Sequence, residues 1–165
     1  MNPYIIDLDN CLIFTSYSEI KGLELISKKG YHYLYHRPHL MSFLKYLVRK
    51  KYDIIFYTSS KAEYAKWVVK SFGLENDYLL YTRAYTIRKT TDYGEIYLKS
   101  LKNIKIRSST PIPVLDDRPD LWDEDGIELN AINPWYGELH DTALSSFITS
   151  DLKKNLPKLS GPPKK

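Results

Sequence analysis

Cysteine is nearly absent from this chain: Cys11 is the single one in 165 residues. A lone thiol excludes an internal disulfide framework and a cysteine-built zinc site, and it fits a reducing intracellular setting, cytoplasmic or nuclear. Long hydrophobic runs are missing too. Stretches such as Ile54-Ile55-Phe56-Tyr57 fall far short of the roughly 20 apolar residues that cross a bilayer. Tyr4-Ile5-Ile6 is too short for the core of a secretory signal, and carboxylates follow at once. No internal repeat is visible. These absences exclude a disulfide scaffold, a membrane-spanning protein and a solenoid. What is present is ordinary for a globular domain, with 43% hydrophobic and 27% charged residues. A chain of this size suits one core that buries roughly 70% of its unfolded surface. The expectation is a monomer with no membrane partner, folded over residues 1–156, with a flexible basic tail at 157–165.

Charge is unevenly spread beneath a net +4. Residues 21–107 carry 18 basic and 7 acidic side chains, whereas residues 108–152 carry 1 basic and 10 acidic. A basic middle facing an acidic segment suits a site that attracts anions yet gathers carboxylates at one point. Solvated helix faces would give the same pattern. The 15 tyrosines are suited to stacking on bases or peptide side chains, or to filling a core.

Periodicity predicts alternating strands and helices. Tyr4–Leu8 reads as a buried strand, and the alternation of Tyr31, Tyr33 and Tyr35 as half of a hairpin-like flap. Arg37-Pro38 opens a helix whose apolar face is Leu40, Phe43, Leu44, Leu47 and Val48, running to about Lys51. Ile54–Tyr57 is a second strand. A helix follows, with Ser60 and Glu63 in a capping-box pattern and Gly73 as its stop. Tyr78–Tyr81 reads as a third strand, Glu95–Lys102 as a short helix, and Pro111–Leu115 as a fourth strand. Ile127–Ile132 is a fifth, and Asp141 caps a terminal helix. The fold class is α/β: a three-layer sandwich around a parallel sheet, with a short flap insert and no large cap domain.

Sites in such sheets form at the carboxyl ends of strands. The first strand ends in Asp7-x-Asp9, the second in Thr58 and the fourth in Asp116-Asp117, with Lys99 on the approach to the fourth. Clustered carboxylates call for a cation, and Mg²⁺ is the hard ion that takes oxygen ligands. The set suits phosphoryl transfer through an aspartyl-phosphate. Asp7 would be the nucleophile, Asp9 the acid and base, and Thr58 and Lys99 the donors to the phosphoryl oxygens.

The same residues resemble a known family. Asp7-Leu8-Asp9-Asn10-Cys11-Leu12 is similar to the Asp-x-Asp-x-Thr/Val motif of haloacid dehalogenase-like phosphatases. More particularly, Arg37-Pro38 with Phe43–Leu47 resembles the "RPG…FLKYL" of the RNA polymerase II C-terminal-domain phosphatases and their small relatives. Phe56–Ala65 resembles their "FTASLAKYA", and Asp116–Trp122 the "DDRxDVW" of the larger members. Pro134-Trp135-Tyr136 and Asp141–Leu144 have counterparts near the small members' C-terminus. The likeness spans roughly Tyr4 to Ile148.

It implies an HAD-like fold and a Mg²⁺-dependent phosphatase of phosphoserine or phosphothreonine in proteins. Metal ligands would be Asp7, the Asp9 carbonyl and Asp117, with Asp116 close behind, and Ser59, Tyr64 and Arg83 would meet the substrate. Three features depart from the pattern. Cys11 stands where threonine is usual. The stretch from Arg83 to Lys99 is longer than in the small members, which leaves Lys89 as an alternative lysine. The additional phosphoprotein-binding domain of the larger members has no counterpart in these residues.

Other readings stand beside this one. A nucleotide or nucleic-acid-end phosphatase of the same superfamily would also use the basic middle and the tyrosines. A catalytically inactive binding module, like the phosphatase-like subunit of the mitochondrial translocase, is a third class, against which the complete catalytic set speaks. A cysteine phosphatase would need arginine six positions after Cys11, where Tyr17 stands. A phospho-accepting receiver domain would need its aspartate on a middle strand before the threonine. His32, His36 and His39 have spacings a metal could use, but they also fit a flap strand and a helix start.

Overall fold

A computed structural model describes residues 2–74, 78–123 and 126–154; the tail expected at 157–165 lies outside them. All five expected strands line up in parallel. These are β1 (Pro3–Ile6), β5 (Asp53–Tyr57), β6 (Tyr78–Tyr81), β9 (Ile112–Asp116) and β10 (Ile127–Ala131), in the order β10-β9-β1-β5-β6. Their residues are apolar at nearly every position because helices or loops cover both faces. Tyr4, Ile6, Ile54 and Phe56 point to one face, and Ile5, Ile55, Tyr57 and Val114 to the other.

The two covers are unequal. The first face carries α1 (Leu40–Arg49), α2 (Ala62–Lys70) and α4 (Ala143–Lys154), which contribute Phe43, Leu47, Val68 and Leu144 to one core. The second is covered by the four-residue α3 (Leu101–Ile104), Ile106 and Trp122. Phe43 has edge contacts with Tyr4 and Phe147 at centroid separations of 6.3 and 5.6 Å, which locks α1 and α4 onto β1.

The expected flap is a separate three-stranded antiparallel sheet of β2 (Ile13–Ser16), β4 (His32–His36) and β3 (Ser27–Lys29), in the order β2-β4-β3. Helix α1 begins two residues later than Pro38, after His39 in a left-handed conformation (φ 67°). Its end near Lys51 agrees with expectation. The helix expected over Glu95–Lys102 is the main departure. Residues 87–98 form a hairpin, β7 (Ile87–Thr91) and β8 (Gly94–Leu98), and only α3 is helical. β-branched Ile87, Thr90 and Thr91 on one strand, and Gly94 at φ 118° where the second strand leaves the turn, favour the hairpin.

Candidate active site

Register places the chemistry. Ile6 pairs with both Phe56 and Leu115, so the next residues, Asp7 and Asp116, stand side by side at the carboxyl edge of the sheet. The Asp7 amide donates to Leu115 O at 2.9 Å and the Thr58 amide to Tyr81 O at 3.0 Å, extending the ladder one residue past each strand. Beyond Asp7 the chain turns tightly about the Leu8 carbonyl, which accepts from the amides of Leu12 and Ile13 at 2.9 and 3.1 Å. Asn10 takes φ 59°, a conformation its short polar side chain tolerates.

Arg37 staples this turn. Its buried guanidinium donates to Cys11 O at 3.0 Å, to Asn133 O at 2.9 Å and to both carboxylate oxygens of Asp141 at 2.8 Å. Sequence reading marked Arg37 as a helix start and missed this bond set, whose partners lie 26 to 104 positions away. Cys11 is wholly buried, its Sγ 3.7 Å from Leu115 O, and burial pushes its thiol well up, away from nucleophilic use.

Lys99 is 4% exposed and donates to Asp7 Oδ1 and, at 2.7 Å, to Asp116 Oδ2. It sits in an isolated bridge to Trp122 instead of on the expected helix. Lys89 is exposed on β7, so Lys99 is the lysine of this cluster. Asp116 also accepts from Trp122 Nε1 at 2.7 Å and from the Arg118 amide at 2.8 Å. Its carboxylate is thereby fixed, and it fixes Lys99 in turn.

Asp9 lies in different company. Tyr64 OH donates to its Oδ1 at 2.6 Å, while Ser60 Oγ and Thr58 Oγ1 donate to its Oδ2 at 2.7 and 3.4 Å. Ser60 therefore serves the carboxylate, not the expected capping box. It precedes the N-cap residue, Lys61, and that cap makes no side-chain bond.

One oxygen from each of Asp7, Asp116 and Asp117 lies within 4.8 Å of the others. Burial and the neighbouring Asp116 and Asp9 push the Asp7 carboxyl well up, against the pull of Lys99. Burial and Asp116 push Asp117 up to about 6. Lys99, between two carboxylates, is held charged. Three carboxylates against one ammonium leave a formal −2, all on hard oxygen donors, and a divalent cation fits that deficit.

The cluster opens into a cavity of about 190 Å³ whose walls include Asp9, Asn10, Ser59, Tyr97 and Arg118. Of the expected substrate residues, Ser59 lines this cavity. Arg83 reaches it indirectly: its Nε donates to Ser59 O at 2.6 Å, and its guanidinium lies 4.3 Å from the Tyr97 ring centroid. Tyr64 meets the site through Asp9. Asn10 and Arg118, which lie inside the quoted motifs, had no site role expected of them, and neither did Tyr97, two residues before Lys99. The histidines form no metal-ligating group among the described residues; His36 bonds Ser71 at 2.8 Å.

Comparison with known proteins agrees with the fold and the motifs. A search of curated proteins returns no match. Among solved structures, the chain is similar to Fcp1, described as an essential RNA polymerase II CTD phosphatase. That likeness has 22% identity and a TM-score of 0.57, and covers 92% of this chain and 49% of Fcp1. It is likewise similar to an arginine-to-alanine variant of the fission yeast RNA polymerase II CTD phosphatase Fcp1 bound to beryllium fluoride. There the identity is 21%, the TM-score 0.53, and the coverage 92% and 50%. The chain thus spans about half the length of these relatives, with a shared HAD-like fold. Residues 4–160 match the family model of the NLI interacting factor-like phosphatases. With nearly the whole chain covered by that model, the protein belongs to the NLI interacting factor-like phosphatases, a family of phosphoric monoester hydrolases of the HAD type.

Proposed function

We propose that the chain hydrolyses phosphomonoesters through an aspartyl-phosphate on Asp7, with phosphoserine or phosphothreonine in an extended protein segment as substrate. The observation that carries this reading is the unlike environment of two carboxylates on one motif. Asp7 is paired with an ammonium group, and Asp9 is held by hydroxyls at the mouth of the same cavity. Division of that kind separates nucleophile from proton carrier.

In the first half-reaction an Asp7 oxygen attacks phosphorus and the bond to the serine or threonine oxygen breaks, while Asp9 gives that oxygen a proton. In the second, water attacks phosphorus and gives its proton to Asp9 as the bond from phosphorus to Asp7 breaks, so that phosphate leaves with the Asp7 carboxylate and the protonated Asp9 restored. Lys99 favours the ionised form of Asp7 against its burial and orients it, and with Thr58 it offers donors where charge gathers on the phosphoryl oxygens. Asp7, the Asp9 carbonyl and Asp117 would hold Mg²⁺, with Asp116 orienting Lys99 behind them. When bound, the ion would supply charge neutralisation for the carboxylates and the phosphoryl group.

A protein substrate is favoured by the absence of a large cap over the site among the described residues, and by relatives named for the polymerase C-terminal domain. Hydrolysis of an aryl phosphate by wild type and Asp7→Asn, with Mg²⁺ and with chelator, tests the reaction. Turnover should need the ion and fall by at least about 10³-fold in the variant. Equal rates in the two proteins would refute the mechanism. Phosphopeptides set against 5′- and 3′-phosphorylated oligonucleotides then test the substrate class.

A further inference from the structure

Tyr64 was expected to line a substrate groove, yet its hydroxyl is committed elsewhere. It lies 2.6 Å from Asp9 Oδ1 and 3.1 Å from Thr15 Oγ1. Thr15 belongs to β2 of the flap, Tyr64 to α2, and Asp9 to the turn after β1, so one hydroxyl joins three elements. The ring is itself fixed, with edge contacts to Trp67 and His32 at centroid separations of 5.8 and 6.1 Å. The opposite oxygen of Asp9 is held by Ser60 at 2.7 Å and Thr58 at 3.4 Å. Both oxygens are therefore held, and the carboxylate plane is set by neutral donors on two sides.

We propose that Tyr64 is a positioning residue that holds the Asp9 carboxylate in the orientation needed to protonate the leaving oxygen, with Thr15 of the flap steering the tyrosine hydroxyl. This inference rests on the phosphatase reading and deepens it. A carboxylate free to rotate presents its proton to the leaving oxygen only part of the time, and proton transfer needs hydrogen-bond reach at the moment of bond cleavage. Only esters with poor leaving groups depend on that proton. An alkoxide such as that of serine cannot leave without it, whereas a nitrophenolate can. Misplacing Asp9 should therefore slow the first half-reaction of alkyl esters selectively without raising their KM, whereas a packing defect would slow both esters and a lost substrate contact would raise KM for the peptide.

Tyr64→Phe removes the hydroxyl and keeps the ring. Its kcat on a phosphoserine peptide should fall about 10- to 100-fold, a part of what general acid catalysis contributes. Its kcat/KM on 2,4-dinitrophenyl phosphate, which reports only the first half-reaction, should change less than about threefold, and KM for the peptide should stay near the wild-type value. Thr15→Val should give the same selectivity to a smaller degree. In an Asp9→Asn background Tyr64→Phe should cause no further loss on the peptide, since the group it positions is gone.

Equal losses on both esters, a change confined to KM, or full additivity with Asp9→Asn would overturn the role while leaving the phosphatase intact. A wild-type protein inert toward both esters in Mg²⁺ would remove the phosphatase reading and this role with it. Should Tyr64→Phe not fold, the Thr15→Val selectivity decides alone.

Discussion

Lys99 shows how much one side chain carries. It is buried between Asp7 and Asp116, with its Nζ 5.7 Å from the Trp122 ring centroid, so water contributes little to its charge. Lys99→Met should therefore act twice. Losing the donor proposed for the phosphoryl oxygens should lower kcat by about 10²- to 10³-fold. Leaving two buried carboxylates without their cation should cost about 3–5 kcal/mol in urea unfolding. Added Mg²⁺ should restore more stability to the variant than to wild type, and an equal Mg²⁺ effect in both would count against the shared site. Its place on the approach to the fourth strand was legible, but neither its backbone conformation nor the choice between Lys99 and Lys89 was. Both are lysines in a polar stretch, and only the fold buries one and exposes the other. Arg37 was misjudged for a related reason. Beside a proline it reads as a helix start, while its bonds to Cys11, Asn133 and Asp141 exist only after the chain has closed.

Elements with a strong period were legible and those with a weak one were not. The apolar face of α1, from Leu40 to Leu47, and the buried runs of β1, β5 and β9 announce themselves because burial selects residue type along each element. The β7–β8 hairpin escaped because its residues are mostly exposed, so burial imposes little pattern on them. Its turn depends on Gly94, whose φ of 118° disfavours any side chain although no atom lies within 4 Å of where a Cβ would stand. Gly94→Ala should cost about 1–3 kcal/mol of local backbone strain. Because the hairpin can open without global unfolding, the cost should appear as faster proteolytic cleavage within residues 87–98 more than as a lower Tm. Since β8 carries Tyr97 to the cavity wall and leads directly into Lys99, activity should decline in parallel. Unchanged cleavage would show that the turn tolerates a side chain.

At the scale of the molecule, stability should fall in acid for a reason that lies away from the carboxylates of the candidate site. Burial lowers His36 from its ordinary 6.5 to about 4, where it bonds Ser71 Oγ at 2.8 Å and contacts the Phe72 ring. Between those values the unfolded chain binds a proton at this position that the folded chain refuses. The contribution of the neutral ring is thus complete above about 6.5 and is lost as pH falls toward 4. His36→Gln keeps a hydrogen-bonding group but does not titrate, so its Tm should fall less steeply than that of wild type across this window. Parallel curves would exclude His36 as the source. A further loss belongs lower, where Asp141, held below the usual carboxylate range by Arg37, takes up its proton.

The sequence by itself determined the alternation of strands and helices, the order in which Asp7, Asp9, Thr58 and Asp116-Asp117 arrive at strand ends, and the family those motifs mark. Each of these is local: a period, a cap or a spacing within a few residues. Tertiary structure alone decided what those side chains touch. Ser60 and Tyr64 reach Asp9 across 51 and 55 positions, and Lys99 reaches Asp7 across 92. A hydroxyl has the same identity as a cap, a groove lining or a carboxylate's partner, and only the packing of α2 and the flap against the end of β1 selects among these roles.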